Sequence, residues 1–216
     1  ARHYKLLKEK QIPVPSMEEQ QRIVDYLDSA FAKIDALKAK AKESLDNAQA
    51  LFQAALKEAM KPKEGWEKKM LGEITEKMAD GPFGSNLKAE HYTTKREVRI
   101  IQLSNISENG WREDNTKYTT FEHLKTISRS EVEPGDIVIA KMMPAGRAII
   151  CPSHEQKFVL SSDAVKVKLK PGLYNLFVCY YINSYHYRKQ VLDNVTGDGR
   201  VRTSLKKLRD YVLYMN

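Results

Sequence analysis

Forty-five consecutive residues, Met17 to Lys61, contain neither glycine nor proline. Ala, Leu, Lys, Glu and Gln dominate the run, and each of them loses little conformational freedom in a helix. Pro13 and Pro15 forbid a helix before it, and Pro62 and Gly65 end it. Ser16-Met17-Glu18-Glu19 reads as a capping box: the hydroxyl takes an orphan backbone N–H and Glu19 reaches back. The run predicts one helix over 17–61, roughly 67 Å long at about 1.5 Å per residue.

Its apolar residues fall at steps of three and four. Ile23, Leu27, Ile34, Leu37, Leu45 and Phe52 anchor the stripe, with alanines between them and one extra residue near Ala41–Leu45. That is a coiled-coil seam with a stutter. Seven basic and eight acidic residues lie in 17–61, so the rod is not the basic part of the chain. A narrow seam needs a partner helix, because alone it stays wet. The alternative is packing against the chain's own folded part. The rod overshoots that, since a domain of this size has a radius of gyration of only about 15 Å.

The remainder, 62–216, holds 25 basic and 19 acidic residues of a 216-residue chain whose net charge is +8. The excess suits an anionic partner without choosing among DNA, RNA and an acidic membrane. Val98–Leu103, Asp136–Ala140, Arg147–Ile150 and Asp163–Leu169 read as strands; in the last, Val165, Val167 and Leu169 alternate with lysines. A helix is expected over Tyr174–Leu192 with Phe177, Tyr180, Tyr181, Ser184 and Val191 near one face, and a short one over Ser204–Leu208. The fold class is α+β: a long coiled-coil-forming helix plus a mixed α/β domain. The expected division is a tail at 1–16, the helix at 17–61 and the folded domain at 62–216. Two cysteines, Cys151 and Cys179, cannot build a disulfide framework and suit a reduced, cytoplasmic protein. The polar, basic start is not a signal peptide, and the apolar run Leu176–Ile182 is too short to span a bilayer. Ala1 is not a methionine, so a processed product or a piece of a longer chain is expected.

Catalytic signatures are scarce. No phosphate-cradling glycine motif occurs, and no Asn-Pro-Pro-Phe-type methylation motif. Cys151 and His154 flank a Pro-Ser turn, which explains them without a metal. Asp136, Glu155 and Lys157 have the spacing of a Mg²⁺ nuclease, an acid followed by acid-x-Lys, but such triplets also arise by chance in a Lys- and Glu-rich chain. The polar loops are more suggestive. Ser85, Asn86 and Lys88 lie in a glycine-rich loop, and Gln102 and Asn105 end a strand. Arg147 follows Gly146, and Arg200 and Arg202 occupy a second glycine-rich loop. Arginine pairs with guanine and Asn or Gln with adenine in the major groove, while lysines hold phosphates. These eight are the candidate DNA contacts. The Tyr-rich stretch Tyr174–Tyr187 could stack on single-stranded bases, although helical spacing favours a core role.

Ile12-Pro13-Val14-Pro15-Ser16-Met17-Glu18-Glu19-Gln20-Gln21-Arg22-Ile23-Val24 resembles the segment that opens the spacer helices in DNA specificity subunits of type I restriction–modification systems. Gly65-Trp66-Glu67-Lys68-Lys69-Met70-Leu71-Gly72-Glu73-Ile74 is similar to the start of that family's target recognition domain. Gly81-Pro82-Phe83-Gly84-Ser85, Pro134-Gly135-Asp136, Gly146-Arg147 and Leu160-Ser161-Ser162-Asp163 follow its pattern in order. The usual subunit has two recognition domains and two spacer helices, and this chain has one of each. It resembles a half subunit or the C-terminal portion of a full one.

The resemblance implies a non-catalytic chain. It would read half of a bipartite target in double-stranded DNA and dock methyltransferase subunits through its helix. A restriction subunit would also be a partner, with S-adenosylmethionine, ATP and Mg²⁺ held by the partners and no cofactor or metal here. Two copies paired through Ile23, Leu27, Ile34, Leu37, Leu45 and Phe52 would read an inverted repeat. The rival readings are the Mg²⁺ nuclease and a coiled-coil adaptor that binds no DNA.

Overall fold

The glycine- and proline-free run folds as a single helix, α1 (Met17–Ala59, 43 residues), in the computed structural model, which describes residues 8, 10–153, 156–194 and 201–216. The chain forms two compact units, Ala1–Phe52 and Gln53–Asn216. Ser16 caps α1 as expected, its hydroxyl accepting the Glu19 N–H at 3.3 Å. The box is only half made, because the Glu19 carboxylate is taken by Arg22 at 2.7 and 2.9 Å. All six seam residues, from Ile23 to Phe52, are at least 41 % exposed.

The second unit begins with the last turns of α1, where Leu56 and Met60 enter a core. Short strands follow: β1 (Glu67–Met70), β2 (Thr75–Asp80), β3 (Val98–Ile101), β4 (Ile106–Ser107), β5 (Gly110–Trp111) and β6 (Tyr118–Thr119). Helix α2 (Phe121–Thr126) leads to β7 (Glu131–Val132), β8 (Ile137–Ala140), β9 (Ala148–Ile150), β10 (Lys157–Leu160) and β11 (Ala164–Leu169). Then come α3 (Asn175–Asn183), α4 (Tyr185–Asp193), α5 (Leu205–Asp210) and β12 (Val212–Met215).

Two four-stranded sheets dominate: an antiparallel one ordered β2-β11-β8-β9, and a mixed one ordered β6-β3-β10-β7 in which β3 and β10 run parallel. Strand β8 reads Ile-Val-Ile-Ala because both its faces are buried. Ile137 and Ile139 join Val165, Val167, Tyr181, Tyr187, Val191 and Leu208 under the helices. Val138 and Ala140 point the other way, to Ile101, Phe158 and Leu160 of the mixed sheet. The far face of that sheet, Val98, Ile100 and Val159, is closed by Leu124 and Ile127. Lys166 on β11 therefore does not face water as the alternation with Val165 and Val167 suggested: it is 5 % exposed between the sheets, and its ammonium donates to the Glu131 carbonyl.

The expected helix over Tyr174–Leu192 is two helices. Ser184 breaks it, its N–H and its hydroxyl both donating to the Tyr181 carbonyl at 3.0 and 2.7 Å. Tyr181, Ser184 and Val191 are buried as expected, whereas Tyr180 is 40 % exposed. Tyr187 is fully buried and donates to the Leu208 carbonyl at 2.9 Å, so Tyr181 and Tyr187 serve the core, whereas Tyr174 and Tyr185 are exposed. Ser204 caps α5 through the Lys207 N–H at 3.3 Å. Among the described residues no helix is long and apolar enough to cross a membrane.

Candidate nucleic-acid interface

Strand β2 runs straight into the first polar loop. Gly81 donates its N–H to the Ala164 carbonyl at 2.9 Å, and a Cβ on it would stand 1.7 Å from the Ser161 carbonyl oxygen. Only glycine fits that crossing. The loop then turns through an Asn86 N–H to Phe83 carbonyl bond of 2.7 Å. Its far end is held by two stacked imidazoles, His91 and His123, with ring centroids 4.1 Å apart. The His123 ring donates to the Asn86 carbonyl at 2.8 Å, and His91 accepts the Lys88 N–H at 3.0 Å. With its backbone pinned at both ends, the loop exposes Phe83, Ser85, Asn86 and Lys88. Phe83 is 82 % exposed.

This loop forms one wall of a cleft of about 750 Å³. Ser162 and Asp163 line it from the turn before β11, Arg129 from the turn before β7, Lys141 from the end of β8, and Arg202 from the segment before α5. Two ion pairs order these groups: Lys141 Nζ with Asp80 at 2.8 Å and Arg202 Nη2 with Asp163 at 2.8 Å. Backbone bonds bring the segments together, Lys141 N–H to Asp163 carbonyl at 2.8 Å and Thr203 N–H to Lys141 carbonyl at 2.9 Å. Arginine donors, carboxylate acceptors and the Asn86 amide stand around one concavity, the mixture that base edges require.

Residues 4–47 match the family described as type I restriction modification DNA specificity domain. Over this segment the chain is similar to that family. Solved structures extend the likeness to the fold of the whole chain. The HsdS subunit from Thermoanaerobacter tengcongensis aligns with a TM-score of 0.53 at 18 % identity, covering 94 % of this chain and 48 % of that one. A chain from a structure reporting complex assembly and conformational transition of the type I R-M system aligns with a TM-score of 0.62 at 18 % identity, covering 94 % and 49 %. The chain thus spans about half the length of both. No curated protein matches.

Within this fold, the candidate contacts separate. Ser85, Asn86 and Lys88 sit on the pinned loop, and Arg202 lines the cleft beside it. Arg200 lies outside the described residues, as do His154 and Glu155. Asn105 is a correction: it is fully buried, its oxygen accepts the Gln102 N–H at 2.8 Å, and its amide donates to the Arg112 carbonyl at 2.9 Å and to that of Asp114. It holds a turn together and has nothing left for a base. Gln102 is half-buried beside it. Arg147 does not line the cleft; its Nη2 donates to the Met143 carbonyl at 3.2 Å, and burial pushes its pKa down. The hairpin that carries it presses on α4, since a Cβ at Gly146 would meet Val191 at 2.9 Å.

The two described members of the nuclease trio have other work. The Asp136 carboxylate accepts the Glu133 N–H at 3.0 Å and closes the turn before β8, while burial raises its pKa. Lys157 pairs with Glu131 at 2.7 Å. Burial pushes the Cys151 thiol up to about 12, and among the described residues no cluster of three metal-binding side chains occurs. Several cleft residues escaped the sequence reading, among them Phe83, Arg129, Lys141 and Asp163. Phe83 and Asp163 stood inside quoted motifs. Lys141 and Arg129 carried no local signal, because what places them is the meeting of β8, the turn before β7 and the Arg202 segment.

Proposed function

We propose that this chain is a non-catalytic, sequence-specific DNA-binding subunit, or half subunit, of a type I restriction–modification complex. It reads one half of a bipartite target through its second unit and docks methyltransferase subunits through α1. The observation that carries this is the convergence on one cleft of segments far apart in sequence: the pinned loop at 81–88, Ser162-Asp163, Lys141 and Arg202. The family match over residues 4–47 and the shared fold support the same reading. S-adenosylmethionine, ATP and Mg²⁺ belong, on this proposal, to methyltransferase and restriction partners in the cytoplasm.

Selection of binding sequences from a random duplex pool tests it. One short half-site should be enriched, with affinity that falls as salt rises. Arg202→Ala should weaken binding to the enriched duplex by about tenfold, as loss of one base or phosphate contact does. A chain that enriches no sequence and shows no salt-dependent affinity would refute the proposal, and Mg²⁺-dependent cutting of plasmid by the chain alone would restore the nuclease.

A further inference from the structure

Beside α4 the charges do not balance. Arg147, at the start of β9, and Arg188, on α4, are both half-buried, and the Nε of each is buried with no hydrogen-bond partner among the described residues. Burial pushes both guanidinium pKa values down. Glu108 is the carboxylate that offsets this for both, and Arg147 works against Arg188 by its like charge. Among the described residues no carboxylate forms an ion pair with either arginine. Two partly desolvated cations therefore share one exposed acid that stands off from both.

Next to them opens a cleft of about 430 Å³, lined by Arg188, Lys57, Glu108, Asn183, Tyr185 and Gln53. Its parts are held in place. Lys57 stands over the Tyr185 ring, 4.4 Å from the centroid, and its carbonyl accepts from the His186 ring at 2.9 Å. The Asn183 amide is spent on both backbone groups of Ala148, at 2.9 and 2.7 Å. A concave site with ordered cations and too few acids favours an anion that takes several donors at once, and a phosphate oxygen pair does so.

Position narrows the source of that phosphate. Arg147 and Lys141 belong to one hairpin, closed by the Ala140 N–H to Arg147 carbonyl bond of 2.7 Å. Lys141 lines the larger cleft, and Arg147 is near enough to Arg188, which lines the smaller one, to act on it by like charge. The hairpin thus puts one cation in the larger cleft and a second near the arginine of the smaller. We propose that the cleft between Lys57 and Arg188 clamps a backbone phosphate of the same duplex that the larger cleft reads. This rests on the DNA-binding function proposed above and adds to it a contact blind to sequence.

The test uses the full chain, a duplex carrying the selected half-site and a scrambled duplex. Lys57→Gln and Arg188→Gln should each weaken binding to both duplexes by the same factor and lower the slope of log affinity against log salt by about one. Arg188→Lys should keep the wild-type slope, which separates lost charge from lost packing. Replacing single phosphates by neutral methylphosphonates should locate one whose loss weakens the wild type and leaves Arg188→Gln unaffected. An unchanged slope in both Gln variants overturns the clamp, as does a loss confined to the selected duplex. Stabilisation of the wild type by inorganic phosphate with an unchanged DNA slope overturns the backbone assignment in favour of a free-anion site. Failure of the wild type to bind any duplex would sink the DNA-binding reading and the clamp with it.

Discussion

One residue decides whether the loop at 81–88 can form. Gly81 passes so close to the Ser161 carbonyl that any side chain must move backbone. Gly81→Ala should cost about 2 kcal/mol or more in urea denaturation, within the range of overpacked sites. Asn105 offers the opposite lesson. It is a polar residue at the end of a strand, as a base-reading amide would be, yet it is buried and bonded to three backbone groups. Asn105→Ala should destabilise the fold by about 1–3 kcal/mol, since it removes the buried amide that ties Gln102 to the Arg112 and Asp114 carbonyls. The fraction that remains folded should bind DNA with wild-type affinity. Nothing in the identity of an amide distinguishes one that reads from one that holds, because both need the same donors and acceptors. Burial separates them, and burial is decided by residues far along the chain.

At the scale of elements, legibility followed the range of the forces involved. Helix α1 was readable because helix propensity and the spacing from Ile23 to Phe52 are local properties. The break at Ser184 was not, since no glycine or proline marks it and the hydroxyl that ends α3 is equally at home on a helix surface. The burial of Lys166 was hidden because the lysine alternates with valines as a solvated face would, and only the second sheet reveals otherwise. The exposed seam of α1 makes a prediction of its own. Leu27→Asp with Ile34→Asp should leave the urea midpoint of the second unit unchanged. It should abolish association of α1 with the helical partner proposed for it, a methyltransferase subunit or a second copy, as read by pull-down and sedimentation. Retained association would remove the seam from the interface.

For the molecule as a whole, the buried titratable groups set an alkaline limit. Burial raises Cys151 and Cys179 to about 12 and lifts Tyr181, Tyr187 and Tyr211 above their usual value. In the unfolded chain the thiols titrate near 9.0. The native state therefore holds protons that the unfolded state releases, so the stability these groups contribute is intact below about pH 9 and is lost as pH rises through the native values. Urea midpoints should be level across neutral pH and fall above about pH 9. At pH 8 a thiol reagent should modify neither cysteine until the chain unfolds. A second whole-molecule feature lies at the seam between β1 and β12, where Glu67 pairs with Met215 and Met70 with Val212. The segment between them is entered and left at one doorway. A unit closed in this way is a cassette: with its two ends side by side, the whole block should tolerate transfer onto another rod without redesign of its interior.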